Sequence, residues 1–487
     1  MANLISLAKD TAIYGVSSIV GRFLNYLLVP LYTVKISAES GGYGVITNVY
    51  AYVALLLVIL TYGMETTFFR FANKEEEDAQ RVYSTSLVCM GFTSLLFVVL
   101  VLCFLGPICN FLGYEDHPSY VWTMAVTVAL DAFQCIPFAY LRFKHKPVKF
   151  ASLKMLFVIL NITLNILAFV VMPLFTGKAT SVGYAFYCNL VCTSTITLFF
   201  YKELTGFKYV FDRALMKRMW HYSWPILLLG IAGILNQTAD KILFPKIYEK
   251  GDAHVQLGIY GAASKIAMIM AMITQAFRYA YEPFVFGKAK DKNSKKTYAK
   301  AMKYFLIFTL LAFLMVVGYM NILRYIIAPD YWEGLKVVPI VMAAEIMMGV
   351  YFNLSFWYKL IDRTIWGAWF SGIGCAVLIL INIIFVPRYG YVACAWAGFA
   401  GYATAMILSY IVGQRYNAIR YPLDEMMAYV LFTVILFALM NYTNNTWHPI
   451  LAIAANTLLI AIFVTYIIKR DLPAGMLSGL RKRLKRH

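Results

Sequence analysis

The chain has 487 residues, of which 61% are hydrophobic and 14% charged, and its formal net charge is +19. A soluble domain carries about 25% charged residues, so this composition, with a mean hydropathy of +0.68, excludes a water-soluble globule. Backbone in lipid must satisfy its own hydrogen bonds, which leaves helices or a closed barrel. Apolar runs of about 20 residues or more fit helices rather than short alternating strands, so the expected class is an all-α polytopic membrane protein.

The positive charge reads as basic loops held on one side of a membrane rather than as a nucleic-acid site, because it falls on alternate loops. Of the eight cysteines, Cys89, Cys103, Cys188, Cys192, Cys375 and Cys394 lie within apolar runs. With no CxxC pair and no Cys/His cluster, neither a disulfide framework nor a metal site is supported. No glycine loop with a phosphate-binding Lys is present, and the six His are scattered. The chain therefore carries no enzyme or ATPase signature. The first apolar segment is long and is expected to be retained rather than cleaved.

Residues 2–9 are mildly amphipathic and suit the membrane surface. Fourteen spans follow, near 11–35, 43–66, 82–106, 119–141, 150–173, 180–202, 220–244, 256–281, 299–321, 335–358, 366–386, 391–413, 424–441 and 449–468. The tail 469–487 ends in RKRLKRH. Basic residues crowd the loops after span four (Arg142, Lys144, Lys146, Lys149), span six (Lys202, Lys208, Arg213, Lys217, Arg218) and span eight (Lys288 to Lys300). The positive-inside rule places these loops and both termini in the cytoplasm, as an even number of spans requires. The intervening loops are short and leave no room for an external domain.

The chain repeats itself. A shift of 214 residues brings Tyr43-Gly44-Val45 onto Leu257-Gly258-Ile259, residues 65–71 onto 279–285, and Asp131 onto Glu345. Spans five and eleven each carry a late Asn and a closing Pro (Asn165 with Pro173, Asn382 with Pro387). Six spans per half give both halves the same orientation, a parallel repeat about the membrane normal. The expected division is 1–203, 204–415 and a remainder 416–487 holding spans thirteen and fourteen.

A charge deep in a span costs about 2.5–3.5 kcal/mol on insertion scales, so each needs a reason. Arg22, Asp131, Lys265 and Glu345 sit near mid-membrane. One reading is a water-filled cavity in which Arg22 and Lys265 receive an anion while Asp131 and Glu345 pair with them or bind a coupling cation. The other is two buried structural ion pairs. Lys154, Arg70, Arg278, Glu65, Glu282 and Lys359 lie nearer the cytoplasmic ends, where snorkelling to the interface is the default. Arg70 and Arg278 each sit in an aromatic cluster at matching places of the two halves, and a guanidinium fork suits a phosphate. Asp240-Lys241 reads as an outer gate pair or an interface pair. Pro30 and Gly21 in span one, and Pro225, Gly230 and Gly233 in span seven, would let those helices bend as gates, or are ordinary tolerance of such residues in membrane helices.

The segments LAKDTAIYGVSSIVGRFLNYLLVPLYT, YGVITNVYAYVALLLVILTYGMETTFFRF, LGIYGAASKIAMIMAMITQAFRYAYEPFVF, NLSFWYKLIDRT and VPRYGYVACAWA resemble bacterial polysaccharide biosynthesis membrane proteins. These are lipid-linked oligosaccharide flippases of the multidrug/oligosaccharidyl-lipid/polysaccharide exporter superfamily, and the likeness runs from about residue 5 to 415. The resemblance implies two six-helix lobes around a cavity that opens alternately to each side. It implies a substrate of sugars on undecaprenyl pyrophosphate, such as an O-antigen, capsule or exopolysaccharide unit, flipped across the plasma membrane by a proton or sodium gradient with no bound cofactor. Membrane lipids, a glycan polymerase and export machinery are the implied partners of a monomer. In relatives that flip the peptidoglycan precursor, two extra C-terminal helices help form a groove for the lipid tail.

For such a substrate Arg22, Lys265 and Arg278, with Arg70 and Lys154, would meet the pyrophosphate. Asn25, Tyr26, Asn236, Gln237, Gln275 and Tyr279 would offer polar and aromatic space for sugar. Asp131, Glu345, Glu65, Glu282 and Asp240 are the candidates for ion coupling or pairing. The rival readings are a peptidoglycan lipid II flippase, a multidrug cation exporter of the same fold, and, in another class, a membrane-bound sugar polymerase.

Overall fold

The computed structural model describes residues 24, 26–177, 180–287, 294–361 and 363–471, with the side chains at 279, 280, 282–284, 286 and 287 outside that description. The expectations for residues 2–9, Arg22, Asn25 and the tail beyond 471 therefore lie outside the described residues, as do those for the side chains of Tyr279 and Glu282. The chain is helical, with no strand among the described residues. In order, the first part comprises α1 (Leu28–Lys35), α2 (Gly42–Thr61), α3 (Met64–Ala72), α4 (Ala79–Cys103), α5 (Leu105–Leu112) and α6 (Pro118–Phe143). Next come α7 (Pro147–Ile166), α8 (Met172–Thr176), α9 (Gly183–Phe199) and α10 (Tyr201–Leu204). The second part comprises α11 (Arg213–Ile247), α12 (Ala253–Gly287), α13 (Ser294–Gly318), α14 (Met320–Leu323), α15 (Val338–Leu354) and α16 (Phe356–Leu360). It ends with α17 (Ile365–Tyr389), α18 (Tyr391–Tyr416), α19 (Leu423–Thr446) and α20 (Pro449–Asp471).

Twelve helical stretches among the described residues are long and apolar enough to cross a membrane, so the chain is a multi-pass membrane protein. They correspond to the expected spans two to five and seven to fourteen. Expected span six is α9, a shorter apolar helix of 17 residues. Only the closing part of span one, α1, is described.

Helix starts follow local chemistry. Asp78 opens α4 by accepting from the Gln80 N–H at 3.0 Å. Asp212 opens α11 by accepting from the Ala214 and Leu215 N–H groups at 2.8 and 3.0 Å. The Leu215 N–H, then that of Ala214 and the charge of Arg81, hold the Asp212 carboxyl below its ordinary range. The loops after spans two, four and six meet at one end of the bundle, the basic end. Arg142 pairs there with Glu65 at 2.6 Å, Lys149 with Glu203 at 2.5 Å and Arg218 with Glu77 at 2.5 Å.

One expectation needs correcting. The apolar run predicts span two as one helix over 43–66, but it breaks at Tyr62 (φ 33°) and Gly63 (φ 69°), both left-handed. A tyrosine in that region is strained by about 1–2 kcal/mol, and the start of α11 holds it there. Ser223 Oγ donates to the Tyr62 carbonyl, Trp220 packs edge-on against the Tyr62 ring at 5.4 Å, and Ile226 closes over Gly63. Pro225, read in span seven as a bend or as ordinary tolerance, interrupts nothing: α11 runs as one helix from Arg213 to Ile247 with Pro225 inside it. The helix interruption lies in span two, against which the Pro225 segment packs.

At the end opposite the basic loops, α2 and α12 cross so closely that side chains are excluded. A Cβ on Gly44 would lie 1.8 Å from the His254 carbonyl oxygen, and one on Gly258 would lie 3.0 Å from the Gly44 nitrogen. Gly44 and Gly258 are the two glycines that the 214-residue shift superposes. Further hydrogen bonds ring this crossing, two of them between the halves. The Asn48 amide donates to the Lys241 carbonyl at 2.7 Å, Tyr114 donates to Asn48 at 2.7 Å, and Tyr331 donates to the Ile36 carbonyl at 2.8 Å. The last two helices dock on α13: Lys303 pairs with Glu425 and Asp471, and Asn444 and Asn456 each donate to its final carbonyls at 2.9 Å.

Overpacking a close contact costs about 1–3 kcal/mol. Gly44→Val should therefore lower the thermal unfolding midpoint of the detergent-purified protein, while Gly233→Val, at a position open to space within 4 Å of where a Cβ would sit, should leave it near wild type. Equal midpoints for both would show that the α2–α12 crossing is not constrained as described.

Candidate functional site

Below the glycine crossing, α2, α11, α12, α15, α17 and α18 enclose a cavity of about 390 Å3. Helical spacing explains its lining. On α12, Tyr260, Gly261, Ser264, Lys265 and Met268 repeat at three and four residues and so share one face. On α2 the inward set is Tyr43, Thr47, Tyr50, Ala51 and Ala54. Helix α11 contributes Asn236, Gln237, Asp240 and Lys241, α15 contributes Glu345, and α18 contributes Tyr402.

The charges are partnered unequally. Asp240 is buried and fully engaged: Tyr260 donates to it at 2.7 Å, and the Lys241 ammonium lies 3.1 Å from both its oxygens. Lys241 also donates to the Gln237 carbonyl at 2.9 Å. Lys265 has neither an ion pair nor a hydrogen bond with any described residue, and its resolved electrostatic neighbour is the like-charged Lys241. Glu345 feels the charge of Lys241, but its Oε2 is shut from solvent without a hydrogen-bond partner. Such groups are costly in a membrane interior, so this cavity is prepared to receive charged or polar groups from elsewhere.

Of the residues singled out in the sequence, the cavity thus brings together Lys265, Glu345, Asn236, Gln237 and Asp240. Tyr26 lies near Tyr43 of the wall, with its buried hydroxyl unpartnered. Asp131 is elsewhere: it accepts from Thr193 at 3.1 Å and interacts electrostatically with Lys154, whose ammonium stands 3.9 Å over the Phe138 ring. The 214-residue shift carries Lys154 to Ala368 and Thr193 to Ile407, so Asp131 and Glu345 match in position and not in surroundings. Glu65 pairs with Arg142. Arg70 lies over the Tyr222 ring at 4.0 Å, and Arg278 over the Phe352 ring at 4.7 Å. Neither arginine lines the cavity, nor does Gln275. Sequence reasoning placed Lys241 at a gate or interface and missed Tyr43, Tyr50, Tyr260, Ser264 and Tyr402 as lining. The four-residue spacing of Tyr260 with Ser264 and of Gly261 with Lys265 was the available signal.

Comparison with known proteins places this geometry. Residues 7–280 match the family described as "Polysaccharide biosynthesis protein". No curated protein matches the chain in sequence. Among solved structures, the lipid II flippase MurJ in an inward closed conformation superposes with a TM-score of 0.73 at 16% identity, covering 94% of this chain and 99% of that one. An inward-facing multidrug resistance MATE family transporter of the MOP superfamily gives 0.66 at 15% identity, covering 81% and 94%. The MATE multidrug transporter DinF-BH gives 0.61 at 16% identity, covering 84% and 96%. At these identities the likenesses establish a shared fold.

Removing Asp240 leaves the Lys241 ammonium without its carboxylate, which for a buried pair costs about 3–5 kcal/mol. Asp240→Ala should lower the unfolding midpoint markedly, and the double variant Asp240→Leu with Lys241→Met should recover most of the loss. A double variant as unstable as the single one would show that the pair is not what holds this wall.

Proposed function

Because the chain belongs to the polysaccharide biosynthesis protein family, we propose that it flips an undecaprenyl-pyrophosphate-linked oligosaccharide across the membrane by alternating access. The observation that carries this reading is Lys265: an ammonium inside a membrane-enclosed cavity, beside a second ammonium and without a counter-ion among the described residues. A pyrophosphate supplies the missing negative charge. The tyrosines and amides of the wall offer stacking and hydrogen bonds to sugar. An ammonium without a counter-ion among the described residues would repel the cation that a multidrug exporter carries.

On this reading the protein has fourteen spans in two six-helix lobes, 1–203 and 204–415, with 416–487 as an appended helix pair and tail. It lies in a bacterial inner membrane with both termini cytoplasmic, and acts as a monomer that hands its product to a glycan polymerase and export machinery. Arg22 of span one joins Lys265 at the phosphates. Arg70 and Arg278, held over aromatic rings, flank the approach from the basic end. Glu345 is the favoured site for a coupling proton or sodium ion, because its carboxylate is inside the cavity and under-partnered, whereas Asp131 has Thr193 and Lys154. The last two helices guide the isoprenoid tail.

Lys265→Ala and Arg22→Ala should abolish delivery of the lipid-linked glycan to the far leaflet while leaving membrane insertion intact, measured as surface glycan in cells expressing each variant. Normal surface glycan in both would remove the cationic cavity from the mechanism. In proteoliposomes with imposed proton or sodium gradients, Glu345→Gln should lose the response to the gradient and Asp131→Asn should keep it. An undiminished response in Glu345→Gln would place coupling elsewhere.

A further inference from the structure

Helices α15 and α18 have a second hollow on their other side. It holds about 990 Å3, and no residue that lines it also lines the central cavity. Its walls are apolar along most of its length, with Leu310 and Phe313 from α13, Ile340 and Met347 from α15, and Val430 and Phe437 from α19. Trp396 and Val434 at its lip are more than half exposed (53% and 56%), so it opens sideways to the surrounding hydrocarbon.

The lining changes toward the end opposite the basic loops, where Arg324, Trp332 and Asn444 take over. Arg324 sits on the short turn after α14, with its guanidinium 4.6 Å from the Trp332 ring and 5.2 Å from the Tyr325 ring. The Trp332 indole donates to the Arg324 carbonyl at 3.0 Å and fixes the turn. The rim's acid, Glu333, is already engaged by Lys336 and the Tyr391 hydroxyl, each at 3.0 Å. Arg324 has no ion pair among the described residues. Among the described residues its guanidinium makes one hydrogen bond, to Tyr325 at 3.5 Å, and its Nε is shut from solvent without a partner. Tryptophan and tyrosine beside an arginine mark the depth of a membrane–water interface. The hollow therefore offers a hydrocarbon slot headed by a cation with unused donors.

We propose that this hollow binds one phospholipid of the leaflet on that side, its phosphate on Arg324 and an acyl chain against α13, α15 and α19. The complementarity is of charge and of depth: the guanidinium fork matches phosphate oxygens, and the apolar walls begin where a headgroup ends. The bound lipid rests on the backs of α15 and α18, whose front faces carry Glu345 and Tyr402 into the central cavity. The site shares no lining residue with the central cavity, where the phosphates and sugar of the transported molecule are proposed to sit.

The full-length protein, reconstituted in nanodiscs of phosphatidylethanolamine and phosphatidylglycerol and released for native mass spectrometry, should retain one phospholipid after mild delipidation. Arg324→Gln, which removes charge-assisted contacts to phosphate, should weaken that retention by about tenfold. Arg324→Lys should fall between the two. Ala343→Trp should block the slot and release the lipid, with Val434→Trp on the exposed lip as the second variant if the first does not fold. Equal retention by wild type and Arg324→Gln would overturn the proposal, as would a retained species that proves to be a polyprenyl phosphate rather than a phospholipid.

Discussion

The rest of the structure depends on the contact of two helix backbones, α2 and α12, at Gly44 and Gly258. With no side chain between them, the helices cross at backbone distance, and everything nearby is set by that approach. The approach presses the first half of the chain onto the second at the end opposite the basic loops. Asn48 then reaches the Lys241 carbonyl, and Tyr331 reaches that of Ile36. It also fixes the roof of the cavity below, because Thr47 and Gly261, one turn further along, are themselves in contact. A 214-residue shift superposes the two glycines, so the contact joins matching positions of the sequence repeat.

Below the crossing the symmetry is geometric and no longer chemical. Lys265 on α12 corresponds to Ala51 on α2, and both line the cavity. Glu345 faces that cavity, while its counterpart Asp131 turns to Thr193 and Lys154. The second half supplies the charges of the cavity, and the described part of the first half supplies tyrosines, a threonine and alanines. Divergence of the side chains thus concentrates the charged groups of the cavity on the second half. The break at Tyr62 and Gly63 adds another inequality. It lets α3 turn away and pack its aromatic face beneath α6, and the strained tyrosine is held by α11 of the other half.

Much of this was legible in sequence, for a plain physical reason. Spans are read from hydrophobic length, and the repeat from residues such as Gly44 and Gly258 whose type is dictated by backbone approach. Charges in apolar runs marked Lys265 and Glu345. The polar lining was harder, because a tyrosine in a membrane helix suits a lipid interface as well as a cavity. Tyr260 and Tyr402 differ from Tyr325 only in what stands opposite them. For Asp131, equivalence in sequence set the depth but not the partners, which are Thr193 of α9 and Lys154 of α7. Nor does Pro225 announce that its helix stays whole, since the neighbour that braces it, the Tyr62 turn, lies more than 160 residues away in sequence.

The charge arrangement also constrains how coupling can work on the proposed reading. An anion beside Lys265 and Lys241 is attracted by both ammonium groups and repelled by Glu345 when that carboxylate is ionised. A proton or sodium ion on Glu345 removes the repulsion, so by Coulomb's law cation and anion bind more tightly together than apart. Local charge alone therefore favours their joint occupancy, whereas exchange of one for the other needs mutual exclusion. The exclusion must come from conformation, with the cation favouring the arrangement in which the anion's site is closed or facing away. Glu345 and Lys265 sit on different helices, α15 and α12, and only α12 takes part in the glycine crossing. On the proposed reading each half moves as a unit, so movement at that crossing would carry Lys265 and Glu345 together relative to α2, and the α2–α12 contact becomes the element through which gradient and substrate act on each other.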